Sequence, residues 1–85
     1  MTTNDNMNAE SSASQAKRIL EYLKAGGRLT PMDALVKFHT MRLGARIKDI
    51  EEILGFPPSR QRVKKTNAEG KDVWVMEYYL EEAQA

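Results

Sequence analysis

The chain has 85 residues, no cysteine, a single histidine and a formal net charge of +1. That is enough for one small domain with a modest core. It excludes a disulfide framework, a thiolate metal site and a multi-histidine metal site, and with no apolar run of membrane-spanning length and no signal-peptide segment a soluble, cytoplasmic protein is expected.

Residues 1–11 hold Thr, Asn, Ser, Met and acids without periodicity, the composition of a disordered tail. Ser12-Ala13-Ser14-Gln15 fits a capping box, with Ser12 as N-cap and Gln15 as its reciprocal partner. Ala16, Ile19, Leu20 and Leu23 follow at helical spacing. Gly26-Gly27 reaches the left-handed conformation that ends a helix. A first helix over about 13–25 is predicted.

Arg28-Leu29 is a short extended link that can serve as an edge strand. Thr30-Pro31-Met32-Asp33 starts a second helix: threonine caps, proline fills the first turn without losing a hydrogen bond, and Asp33 favours the positive end of the dipole. That helix is predicted over about 31–38, with Ala34, Leu35 and Phe38 able to face a core. His39-Thr40-Met41 turns the chain into a third helix over about 41–54, closed by Gly55 and by Pro57-Pro58.

Arg60 to Thr66 alternates about Val63, and Val73 to Leu80 is rich in β-branched and aromatic residues. Asn67-Ala68-Glu69-Gly70 between them is turn chemistry. The two runs form one antiparallel hairpin, which must pack on the helices because a two-stranded hairpin is not stable alone. The predicted fold class is therefore mainly α with a small β-hairpin, three helices plus an antiparallel wing, the order of a winged helix-turn-helix. The expected organisation is a disordered tail over 1–11, the folded domain over 12–81 and a C-terminal tail over 82–85.

The distribution of charge says more than its sum. Between Arg42 and Lys65 seven bases face three acids, a net +4, while residues 72–85 carry acids and no base. A basic patch inside a near-neutral chain fits a polyanion-facing surface. On the third helix Leu43, Ile47, Ile50 and Leu54 make one apolar stripe. Met41, Ala45, Lys48 and Glu52 oppose it, with Arg42 and Asp49 beside them. A short helix, a tight turn and a second helix with free basic residues is the form whose second helix enters a DNA major groove.

The first turns of such a helix reach base edges, which makes Met41, Arg42, Ala45 and Lys48 the base-edge candidates. Arg42 leads them, because arginine can grip guanine with two hydrogen bonds. Thr40, Arg46, Arg60, Arg62, Lys64, Lys65 and Lys71 are the candidates for phosphate. Arg60, Arg62 and Lys64 share one strand face, with Val63 on the other. Arg46 and Asp49 are i, i+3 neighbours and can pair. Gly44 is read as a close-packing position against the second helix. Exposed Glu51 and Glu52 would repel phosphate, so the helix must enter by its N-terminus.

On the last strand Trp74, Met76, Tyr78 and Leu80 share one face and are expected to cover the helices. Val73, Val75 and Tyr79 on the other face lack an obvious partner, which suggests an extra strand or a second chain, as in a homodimer. No glycine-rich phosphate loop and no activated serine or threonine is present. Glu51-Glu52 lies on one solvated turn, and His39 reads as a cap or surface residue. No enzymatic activity, cofactor, metal or small-molecule substrate is expected.

Leu29-Thr30 with Asp33-Ala34-Leu35, then Met41-Arg42-Leu43-Gly44-Ala45-Arg46-Ile47 with Asp49-Ile50 and Gly55, resembles a family of small helix-turn-helix proteins of phages and mobile elements. Gly70-Lys71, Val73 and Glu77-Tyr78-Tyr79-Leu80 look like that family's hairpin. The resemblance covers about residues 16–80 and is carried mainly by the Arg-Leu-x-x-Arg-Ile-x-Asp run. It implies a winged helix, no cofactor, no catalytic residues and a role in DNA binding for regulation, replication or excision. Arg42 and Arg46 match the family's two arginines. The chain departs from the pattern at His39, where the family commonly has glycine, and in the longer, acid-bearing loop Asn67-Ala68-Glu69.

The expected function is sequence-specific binding of double-stranded DNA, with the third helix in the major groove and the hairpin on the backbone. The alternative is an adaptor that uses the same scaffold to bind a host or phage protein through Trp74, Val75 and Tyr79. Single-stranded nucleic acid is a third, lesser reading.

Overall fold

Residues 10–81 are described by the computed structural model. Of the two expected tails, residues 1–9 and 82–85 lie outside them. In chain order the elements are α1 (Ser12–Lys24), α2 (Pro31–Phe38), α3 (Leu43–Leu54), β1 (Ser59–Thr66) and β2 (Asp72–Tyr79).

The first helix begins one residue earlier than its sequence suggests. Ser11, not Ser12, is the N-cap, and its hydroxyl accepts from the Ser14 N–H at 3.1 Å. Gln15 is thereby released from any capping box. Its Nε2 donates across to the Phe38 carbonyl at 3.0 Å, satisfying an end carbonyl of α2. At the far end Gly26 takes φ 95°, its N–H donates to Leu23 O, and the Gly27 N–H donates to Tyr22 O. These two bonds close a Schellman turn.

The start of α2 follows the expected chemistry and adds to it. The Asp33 N–H donates to Thr30 Oγ1, and the Thr30 N–H donates back to Asp33 Oδ2. Both donors would otherwise be orphaned. Leu35, expected to face the core, is instead 39% exposed, and with Met32 and Val36 it forms an apolar arc on the outer side of α2.

The core draws on all three helices and on Leu29 and Leu80 beside the hairpin base. Ala16, Ile19, Leu20 and Leu23 of α1 meet Leu43, Ile47 and Ile50 of α3, with Ala34 and Phe38 of α2, Leu29 and Leu80 completing it. Each large side chain fully withdrawn from water contributes about 1.5–3 kcal/mol. Tyr22 and Phe38 meet edge to face with ring centroids 5.6 Å apart.

The hairpin pairs Ser59 with Tyr79 through to Thr66 with Asp72. At its tip the Gly70 N–H donates to Asn67 O, and the Asn67 side chain accepts from both Glu69 and Lys71. Gly70 adopts φ 82°, which brings the second strand back into register. Leu29 joins the other edge of β2: its N–H donates to Tyr78 O at 2.9 Å, and the Tyr78 N–H donates to Leu29 O at 2.7 Å. The short link after α1 thus acts as the edge strand that the sequence suggested, and β2 lies between it and β1.

Candidate nucleic-acid interface

The turn between α2 and α3 is built from four residues, His39 to Arg42. His39 sits in the left-handed conformation (φ 58°) and its N–H donates to Leu35 O at 3.0 Å. The turn therefore takes a glycine-like backbone at a position that has a side chain. Thr40 is buried, and its hydroxyl accepts the Arg42 N–H at 3.0 Å. Thr40, a phosphate candidate by sequence, thus has its hydroxyl engaged inside the turn.

The third helix starts at Leu43 rather than Met41, because Arg42 is its N-cap and has a non-helical backbone. Met41 consequently precedes the helix and stands 86% exposed. Arg42 makes no side-chain cap, so the first-turn N–H groups of α3 have no side-chain acceptor there. A cation beside such open donors suits an anion. Gly44 and Lys48 are exposed along the next turns, and Ala45 is half-buried.

Arg46 leaves this surface. Its side chain is 12% exposed and its Nε lies 3.2 Å from Asp49 Oδ2. The N–H is not aimed at that oxygen, so the contact is an ion pair rather than an aligned hydrogen bond. The predicted i, i+3 pair exists, and it draws the guanidinium in where an outward-reaching arginine was expected.

Gly44 is also not where packing was expected. A methyl group built there would meet nothing within 4 Å. It does not pack against α2; it lines an open groove of about 620 Å³ between α3 and the hairpin, shared with Lys48, Arg60 and Tyr78. Glu51 and Glu52 line the same groove toward the C-terminal end of the helix.

Strand register sorts the hairpin bases. Residues paired across an antiparallel ladder point to the same side. Arg60, Arg62 and Lys64 are paired with Tyr78, Met76 and Trp74. Lys65 is paired with Val73 and Val63 with Val75, on the opposite side. That side faces the start of α2, where Thr30, Met32, Lys65, Val73 and Val75 line a second groove of about 470 Å³. Lys71 is exposed beside the hairpin tip.

The same register corrects the expected packing of the last strand. Only the base of the Trp74 face reaches the core, through Tyr78 and Leu80. Met76 is half-buried and Trp74 is 58% exposed, with the Arg62 guanidinium 5.3 Å and the Lys64 ammonium 5.6 Å from its ring centroid. On the opposite face Tyr79 has a partner after all, since the Arg28 guanidinium lies 4.3 Å from its ring centroid. Arg28 also lies 3.7 Å from Glu77, which accepts a hydrogen bond from Gln61. Val75 is half-buried and Val73 is 38% exposed. The chain itself thus covers most of the face that suggested a homodimer.

Sequence reasoning placed Gly44 against the second helix and expected Trp74 to cover the helices, exposing it only in the adaptor reading. Gly44 follows Leu43 by one helical step, about 100° off the core stripe. Counting back from the Asn67–Gly70 turn places Trp74 opposite Lys64, on a face already marked as solvated by its bases. Both signals were in the sequence.

Among the described residues no group of three or more His, Cys, Asp or Glu is placed to hold a metal ion. No helix among them is long and apolar enough to cross a membrane. Comparison with curated proteins and with solved structures returns no match. A family model described as a winged helix-turn-helix domain matches residues 14–83. With three helices, a tight turn before the third, and a hairpin docked through Leu29 and Leu80, the chain belongs to the winged helix-turn-helix domain family, a fold that suggests DNA as its partner.

Proposed function

We propose that this protein binds double-stranded DNA sequence-specifically, with α3 in the major groove and the hairpin on the phosphate backbone. The observation that carries this reading is the shared groove: Lys48 of α3 and Arg60 of β1 line one surface. The helix and hairpin bases thereby meet across one groove, and Glu51 and Glu52 in the same groove lie toward the C-terminal end of α3, so the helix is to enter by its N-terminus. Arg42 and Lys48 are the base-reading residues, and Gly44 and Ala45 allow close approach of the helix to the groove floor. Met41, ahead of the helix, contributes at the edge of the contact. Arg60, Arg62 and Lys64 neutralise phosphates, with Lys71 at the tip and Lys65 as a more distant charge. Thr40 and Arg46 act on the turn and helix that present these groups. The resemblance to phage and mobile-element proteins supports a role as a regulator, or as an accessory to replication or excision, inside the cell.

The test is fluorescence anisotropy of a labelled random duplex at two salt concentrations. Binding should weaken steeply with salt, and Arg42→Ala should weaken it about tenfold while leaving thermal stability within about 0.5 kcal/mol, since Arg42 is exposed and makes no cap. Salt-insensitive binding, or an Arg42→Ala variant with unchanged affinity, would remove this reading.

A second reading is favoured by one feature. The groove lined by Met32, Val73 and Val75 is apolar and adjoins the exposed Leu35 and Val36 of α2. A protein adaptor would use that side. Loss of binding to a host or phage protein on Val75→Glu, with duplex binding absent throughout, would move this reading to first place.

A further inference from the structure

We propose that Trp74 is a direct contact to duplex DNA, and that the hairpin meets the sugar–phosphate wall through its Arg62–Lys64–Trp74 face. This inference rests on the proposed function and assigns to it a residue and an orientation. Trp74 is the single tryptophan of the chain and is 58% exposed, near the opposite end of β2 from the core that buries Leu80 just beyond the strand. An indole left in water contributes little to folding, because its apolar area is not withdrawn from solvent. Two cations flank it, Lys64 directly across the ladder and Arg62 one diagonal step away, at 5.6 and 5.3 Å from the ring centroid. An apolar ring with two cations beside it can pack on a deoxyribose while the cations reach the phosphates next to that sugar. The cations can exchange the ring for phosphate oxygens, a stronger, charge-assisted contact, and the ring is then free to pack on the sugar.

The orientation follows from register. Arg60 lies on this same face and lines the groove shared with Gly44 and Lys48 of α3. DNA lying along α3 therefore meets Arg60, then Arg62, Lys64 and Trp74. The opposite face, with Val63, Lys65 and Val73, turns toward the start of α2. Acidic protein surfaces would also attract the two cations, but they offer no repeated apolar ring between charges.

Because the chain has one tryptophan, emission excited beyond the tyrosine absorption reports this site alone. The experiment titrates the full chain with a random DNA duplex at low salt and follows anisotropy of the labelled duplex beside tryptophan emission and acrylamide quenching. The emission should move to shorter wavelength, and acrylamide access should fall, in step with binding. Trp74→Ala should weaken binding about tenfold or more, while Trp74→Phe stays within severalfold of the parent. Lys64→Ala should cost more affinity than Lys65→Ala. A circular dichroism melt of each variant, compared with the parent, separates loss of contact from loss of fold. Duplex binding with unchanged emission and unchanged acrylamide access overturns the inference and leaves the proposed function standing. A tryptophan response to a single-stranded oligonucleotide but not to the duplex overturns it in favour of base stacking. No duplex binding at all overturns the proposed function and this inference with it.

Discussion

His39 shows how one residue carries both a strain and a turn. Its left-handed backbone (φ 58°) is the one in which a side chain crowds the following carbonyl. The turn accepts that cost because the chain must reverse between α2 and α3 within a few residues, and the His39 N–H caps Leu35 there. His39→Gly should therefore stabilise the domain by about 1 kcal/mol, less a few tenths for the freer unfolded chain. Urea denaturation of the two proteins checks this; a destabilised glycine variant would mean that the imidazole makes contacts that offset the strain. Thr40 and Arg42 continue the same turn, the buried hydroxyl accepting the arginine N–H and so fixing where α3 starts. The sequence announced a turn here, but not that Thr40 would be consumed in holding it. That outcome depends on which way the backbone N–H groups point, and side-chain type alone does not encode it.

Among the elements, the end of α1 has the least tolerance. Gly27 is required by closeness rather than by its dihedral: a methyl group there would overlap the Tyr22 ring, which Phe38 holds edge to face at 5.6 Å. Gly27→Ala should cost about 1–3 kcal/mol as the ring is forced from its place. The measurement is a thermal melt alongside Gly26→Ala, whose cost arises from backbone conformation at φ 95° with open space around it. If a Tyr22→Ala background does not relieve the Gly27→Ala cost, the steric account is wrong. The helices themselves were legible because their signals are local: apolar spacing, Thr30-Pro31 at one end, Gly55 at the other. Their first turns were less so. Ser11 and Ser12 are chemically equivalent caps, and Gln15 can serve either its own helix or the Phe38 carbonyl. Only docking of α1 against the end of α2 decides between them.

Across the whole molecule, the hairpin is attached to the helices at its base, and one face of its outer part lies across a groove from the start of α2. The attachment is the Leu29–Tyr78 bridge, the partly buried Tyr78 and the buried Leu80. Among the described residues eleven buried apolar side chains make up this core, so each is a sizeable fraction of a marginal stability. Leu80→Ala should lower unfolding free energy by about 2–5 kcal/mol and loosen the hairpin with it. Chemical denaturation followed by both far-ultraviolet circular dichroism and Trp74 fluorescence tests this: in the parent the two probes should move together, as one cooperative unit requires. A parent in which the tryptophan signal changes well before the helical signal would show a hairpin that melts separately.

The sequence by itself determined the element order, the apolar stripe of α3, the turn chemistry at Asn67–Gly70 and the concentration of bases between Arg42 and Lys65, because each is written in neighbouring residues. The tertiary structure decided what those bases face. Arg46 turned inward to Asp49, Lys65 went to the opposite side from Lys64, Gly44 opened onto a groove, and Trp74 remained largely in water beside two cations. Each of these depends on strand register and on how the hairpin leans against α3. Those are long-range properties, fixed by the joint burial of Leu29, Ile47 and Leu80 rather than by any residue's own preference.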